Sequence, residues 1–220
     1  GANEPKANAT IETHIINGGI LKTGARTLNL SHPNNTFSGG LQIAEGYVKP
    51  ATTGSLGAGP VTFTNGIGVT AGIDFGSLTG TVPNTIHTGT GDFVFTYSAA
   101  APNALTLSGG FSMEQDLTVN VVNGSVENGT PNDVYRAVVD VTGTIDDGAG
   151  TFALTKIGDG LLKLASGNTY SGATTVERGI LSIAADSSLG DTTTPVTING
   201  GCLAVSNSLT LSRDLAIGAS

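Results

Sequence analysis

Apolar and polar residues alternate in short runs along the whole chain. Leu28-Asn-Leu30, Leu105-Thr-Leu107, Leu117-Thr-Val-Asn-Val121 and Leu162-Lys-Leu164 each send every second side chain to one face, the period of a half-buried strand. Phe93–Tyr97, Val196–Ile198 and Leu209–Leu211 repeat the pattern, and Val134–Val141 is rich in residues that strands favour. Asn-Gly and Asp-Gly pairs such as Asn17-Gly18, Asn65-Gly66, Asp159-Gly160 and Asn199-Gly200 separate the runs, and they supply the positive φ angles of sharp turns. No stretch keeps a helical stripe, and Ile183–Leu189 has room for one short turn at most. The chain reads as all-β, which leaves a sandwich, a barrel or a solenoid.

An internal repeat decides among these. Asn35-Thr-Phe-Ser-Gly39 returns as Asn168-Thr-Tyr-Ser-Gly172, 133 residues later. Downstream, Ile43 matches Val176, Gly46 matches Gly179, and Ser55-Leu56-Gly57 matches Ser188-Leu189-Gly190. Upstream, Leu28-Asn-Leu30 matches Leu162-Lys-Leu164. A long-period repeat of short strands predicts a solenoid, in which each coil satisfies the backbone edges of the one below. The single solenoid spans 1–220, with repeat segments 21–66 and 154–203 and an irregular middle, 67–153.

Composition agrees. Aromatic residues are 5% and Trp is absent, a poor supply for a thick core but enough for a narrow column of Leu, Val and Ile. Only 12% of residues are charged, as expected where stacked like charges would sit about 4.8 Å apart. The net charge of −8 and the scattered Lys and Arg residues exclude a phosphate-binding stripe, so no nucleic-acid partner is expected. No apolar run is long enough to insert this segment in a membrane. One cysteine, Cys202, rules out an internal disulfide framework; a small buried thiol is the expectation for it.

Residues 154–203 resemble a passenger-associated transport repeat, also called the autotransporter-associated β-strand repeat. The residues that carry this are Leu154-Thr-Lys-Ile-Gly-Asp-Gly-Leu-Leu-Lys-Leu164, Gly167-Asn-Thr-Tyr-Ser-Gly172, Thr174-Thr-Val176, Gly179-Ile-Leu181, Ser188-Leu-Gly190 and Val196-Thr-Ile-Asn-Gly-Gly201. Residues 21–66 follow the same pattern less closely: Gly40-Leu-Gln-Ile43 replaces Gly-Thr-Thr-Val, and Lys49-Pro50 is expected to interrupt a strand. The resemblance implies a right-handed parallel β-helix in a large secreted or surface-displayed bacterial protein; at roughly 20–24 residues to a coil, about nine to eleven coils are expected. There such repeats are scaffold, and the signature carries no catalytic residues.

Parallel β-helices also include carbohydrate-active enzymes, which would need a cluster of charged residues converging on one lateral face. Asp146-Asp147 is the only adjacent carboxylate pair, but its Asp-Asp-Gly-Ala-Gly setting is that of a turn. Asp159, between two glycines, resembles a calcium turn but lacks the repeat spacing of such sites. His14, His32 and His87 lie far apart in sequence, and only His14 has a nearby carboxylate, Glu12. Phe37 and Tyr170 occupy equivalent repeat positions and are expected inside the solenoid rather than on a sugar. Asn8, Asn29, Asn34, Asn123 and Asn128 head chance glycosylation sequons.

The reading is a non-catalytic structural segment with no cofactor and no metal, forming a rod, stalk or filament at a cell surface. An adhesin module for a glycan or host protein, or a carbohydrate-active enzyme, is the alternative. Both ends stop in mid-pattern. Joining Ser220 to Gly1 continues that pattern, so the expected partner is another copy stacked end to end, with a surface glycan as a further candidate.

Overall fold

The computed structural model describes residues 8–99, 104–123, 137–165, 167–206 and 208–218. They form three parallel sheets wound into a β-solenoid of about nine coils. Sheet I stacks ten strands: β1 (Ala9–Ile11), β3 (Thr27–Leu30), β5 (Gly46–Pro50), β7 (Thr70–Asp74), β10 (Asp92–Ala99), β13 (Leu117–Asn123), β16 (Leu154–Ile157), β18 (Thr174–Val176), β20 (Val196–Ile198) and β22 (Leu215–Ile217). Sheet II holds β2 (Ile20–Lys22), β4 (Leu41–Ile43), β6 (Val61–Phe63), β9 (Ile86–His87), β12 (Phe111–Ser112) and β15 (Ile145–Asp146). Sheet III holds β8 (Gly80–Val82), β11 (Ala104–Leu107), β14 (Val138–Val141), β17 (Leu161–Leu164), β19 (Ile180–Ile183) and β21 (Cys202–Val205). The chain passes from sheet I to III to II and back.

Strand alternation fills the interior. On sheet I the inward register runs Leu28, Val48, Ile73, Phe95, Val119, Lys156 and Val176, one residue per coil. All of these except Leu28 are fully enclosed or nearly so. Each buried aliphatic side chain contributes about 1.5–3 kcal/mol, and stacking supplies one in every coil on every face. A coil takes 20 residues between Leu28 and Val48 and again between Lys156 and Val176. Between Val119 and Lys156 the step is 37.

The two repeats have the same local path but do not occupy the same faces. The order strand–turn–strand–arm–strand–turn–strand is β2, β3, β4 and β5 in the first, and β16, β17, β18 and β19 in the second. In the first, those strands lie on sheets II and I, and the arm (31–40) crosses the third face. In the second they lie on sheets I and III, and the arm (167–173) crosses the face of sheet II. The second repeat is therefore rotated by one face, a third of a turn. Coils in the middle region, such as β7–β8–β9 and β10–β11–β12, carry strands on all three faces and make the change possible. Asn residues stitch the two switches. Asn84 donates from Nδ2 to Gly57 O and Gly59 O in the arm below it (3.1 and 2.6 Å), and Asn168 Oδ1 accepts from Ile145 N in the strand below it (2.9 Å).

Three expectations are corrected, at Lys49-Pro50, Leu209–Leu211 and Cys202. Lys49-Pro50 does not break β5: Pro50 falls on the last strand position, and Ala51 N–H supplies the bond to Leu30 O at 2.9 Å. Leu209–Leu211 is not a strand but part of an arm over the face of sheet II, with Leu209 and Leu211 half-buried. The one short turn expected within Ile183–Leu189 is present as a 3-10 helix, Asp186–Leu189, matched by another at Thr53–Leu56. Cys202 is exposed. It pairs with Ile180 at an outward register position, because alternation turns Leu203 inward beside Leu181. Of Val134–Val141, the strand is Val138–Val141; residues 134–136 lie outside the described residues.

Candidate functional site

Three cations lie inside the solenoid, two of them at the repeat corners. Lys156 is fully buried, and its Nζ donates to Ile157 O (2.6 Å), Gly158 O (2.8 Å) and, from the next coil, Arg178 O (3.2 Å). Lys22, 134 positions earlier, makes the same set: Thr23 O at 3.1 Å, Gly24 O, and Glu45 O of the next coil at 2.8 Å. An ammonium has three donors and no acceptor, so three convergent carbonyls satisfy it completely. Burial holds the Lys22 pKa below its ordinary value, opposed by the nearby Glu45 charge. Arg213 does a similar task in the last arm. Its Nε meets Asp186 Oδ1 at 2.7 Å, and its remaining nitrogens donate to the carbonyls of Asp186, Leu189, Gly190 and Asp191. The sequence offered a signal for both lysines: each sits at the inward position of a strand, at the repeat offset, two residues before a glycine.

The arms are built around an Asn, a Ser and an aromatic. Asn35 Oδ1 accepts from Ile15 N of the coil below (3.0 Å), and Nδ2 donates to Ser55 O of the coil above (2.8 Å). Asn168 repeats this between Ile145 N and Ser188 O. Ser55 and Ser188 turn their hydroxyls back to Thr52 N and Ala185 N at the starts of the 3-10 turns. Phe37 and Tyr170 are wholly enclosed, as their repeat position implied. Tyr170 differs in carrying a hydroxyl, which meets Thr174 Oγ1 at 2.7 Å; burial pushes its pKa up to about 12. The first repeat has Phe37 and Leu41 at the matching places. Tyr170→Phe should therefore cost about 1–2 kcal/mol by stranding the Thr174 hydroxyl. The double change Tyr170→Phe with Thr174→Leu should recover most of it. Urea melts of the two singles and the double check this, and additive losses would show that the hydroxyls are not coupled.

The sequence candidates are placed as follows. Asp147 lies in a buried turn, where its Oδ2 accepts from Ser171 N and Oγ, both at 2.8 Å, and from Phe152 N at 3.2 Å. Asp146 points outward on β15, opposite Ser112, which in turn stands opposite His87. The serine is thus between the histidine and the carboxylate, an order that leaves His87 without the orienting acid of a nucleophile–base–acid triad. His14 and His32, distant in sequence, are stacked one coil apart with centroids at 4.6 Å and planes at 8°. Thr36 Oγ1 lies 3.4 Å from His14 Nε2, and Asn34 N donates to His32 Nδ1 at 3.3 Å. Among the described residues, no group of three or more His, Cys, Asp or Glu side chains converges as a metal site would require. Asp159 is exposed in a shallow groove of about 550 Å³ with Asn120, Glu177 and Arg178. Asn8, Asn29 and Asn34 lie on the described surface. The sequon at Asn128 is outside the described residues, as is most of that at Asn123.

Carboxylates in these turns set an acid limit. Burial raises the Asp147 pKa, but the Ser171 and Phe152 hydrogen bonds outweigh it and hold it below its ordinary 3.8. Burial is likewise outweighed at Asp186 by Arg213 and Ser212, and the Thr193 hydrogen bonds lower Asp191. A lowered folded-state pKa means stability that is complete above about pH 4 and lost as pH falls below it. Thermal melts followed by circular dichroism should show the midpoint flat from pH 7 to about 5 and falling steeply below 4. Asp147→Asn should blunt that fall.

These features define a parallel β-solenoid whose buried polar groups are spent on fastening coils. The chain carries two passenger-associated transport repeats: the sequence model of that family matches residues 20–49 and again residues 154–183. Those bounds run from β2 into β5 and from β16 through β19, the two copies of one path on rotated faces. Over those residues the chain is similar to a repeat of autotransporter passengers, which together with the β-solenoid fold supports a passenger-type structural segment. No curated protein and no solved structure is significantly similar to the chain. No helix among the described residues is long and apolar enough to cross a membrane.

Proposed function

We propose that the chain is a non-catalytic, extracellular rod segment that holds other parts of a surface protein away from the cell. The observation that carries this is the unbroken ten-strand register of sheet I from β1 to β22. Every coil is bonded to the next along the long axis, so tension on the rod is shared by backbone hydrogen bonds on three faces. About nine coils at ~4.8 Å give a length of about 43 Å. The buried polar groups support the same reading, since the lysine corners, the asparagine arms and Arg213 all join neighbouring coils. The same coil-on-coil contact is the one through which copies would join end to end. Small-angle scattering of the chain should give the length distribution of a rod about 43 Å long, or of multiples of it if copies stack. Pulling single molecules should give high-force release in steps of whole coils. Low-force unfolding in one step, or turnover of acidic polysaccharides, would overturn the proposal.

A further inference from the structure

The rotation of the second repeat has a lateral effect. Over the C-terminal half the arms lie on the face of sheet II, and among the described residues no arm crosses the outer surface of sheet III from β8 to β21. Its side chains stand in rows along the rod. The row nearest sheet I includes Ala104, Val138, Leu161, Ile180 and Cys202, one per coil. Three consecutive aliphatic residues on an outward row have no parallel on sheet II, where the outward row runs Leu21, Gln42, Thr62, His87, Ser112 and Asp146. The adjacent row holds Thr106, Asp140, Lys163 and Ser182 in register. It carries one acid and one base, and they are neighbours.

We infer that sheet III is the docking face for a second copy of this chain, packed side by side and antiparallel about a twofold axis between β14 and β17. Such an axis keeps each row over itself and reverses its order. Asp140 then faces Lys163 of the other copy, and Lys163 faces its Asp140, so the only two charges in the row are complementary to themselves. In the aliphatic row, Val138 faces Leu161, and the small Ala104 faces the large Ile180. The same operation places Cys202 over Thr79, the exposed residue that precedes β8. A parallel pairing in the same rows would set Asp140 on Asp140 and Lys163 on Lys163. The contact is isologous and closes at two copies, unlike end-to-end stacking, which does not close. It does not depend on the rod's ends.

The test is sedimentation velocity of the 220-residue chain over a range of concentrations, with site-directed cross-linking. A monomer–dimer equilibrium that stops at two is expected. Lys163→Asp should weaken the dimer at least tenfold, and adding Asp140→Lys should restore it. With Thr79→Cys, a short bis-maleimide should link Cys202 to position 79 of the other copy, whereas the parent chain, with Cys202 alone, should stay unlinked. A monomer at every concentration, Lys163→Asp dimerising like the parent, or ready Cys202–Cys202 linkage would overturn the inference. Open-ended growth indifferent to Lys163→Asp would also overturn it, leaving only the end-to-end contact. The cross-linking result stands even if the charge variants fold poorly.

Discussion

Replacing Lys156 by Met is expected to destabilise the fold by about 3–5 kcal/mol. The methionine fills the space and keeps the inward column apolar. What it removes are three donors, leaving the carbonyls of Ile157, Gly158 and Arg178 enclosed without their partner. Each unsatisfied buried group costs about 1–3 kcal/mol. Lys49→Met is the control. Lys49 faces Asp74 across 3.4 Å on an open surface, and half of its side chain is in water, so its loss should stay within about 0.5 kcal/mol. Denaturant melts compare the two directly. A loss below 1 kcal/mol for Lys156→Met would mean that these carbonyls find other donors, and that the corner is not fastened by the ammonium.

The second large effect is expected at Gly46. Its φ is +72°, and an added Cβ would lie 2.5 Å from Gly24 O and 2.6 Å from Arg26 O. Gly179, its counterpart, has φ +70° and would meet Gly158 O and Gly160 O in the same way. At both places the coil crosses the corner of the coil beneath in backbone-to-backbone contact, and there is no flexible side chain to move aside. Gly46→Ala should cost about 1–2 kcal/mol for the left-handed conformation and a further 1–3 kcal/mol for overpacking. Gly24 separates the two contributions. Its φ is +79°, with nothing within 4 Å of the added atom, so Gly24→Ala should show the conformational cost alone. Equal losses at Gly24 and Gly46 would show that close stacking of corners is not what requires glycine there.

The strands, the parallel stacking and the approximate number of coils were legible because alternation and the recurring Asn-Thr-Phe/Tyr-Ser-Gly block are local signals. The same locality explains the errors. Leu209–Leu211 alternates like a strand, yet an arm can also present every second residue to the core, and only the neighbouring coil decides which it is. The residue type of Cys202 favours burial, although the parity of Leu203 already turns it outward. The stacking of His14 on His32 needs the length of a coil, which no pair of positions reveals alone. The enclosed lysines were hidden by treating charge as a surface property. The third-of-a-turn rotation was out of reach, because the repeat records the order of turns along the chain and says nothing of the direction in which a given strand looks. A separation of five and a third coils is indistinguishable, in sequence, from a whole number.

That fractional separation bears on what the rod can display. Anything carried on the arm of the first repeat points to a different azimuth from anything carried on the arm of the second. A shaft assembled from one kind of unit thus acquires distinct sides, with ornament on one flank near one end, on another flank near the other, and a smooth strip left between them.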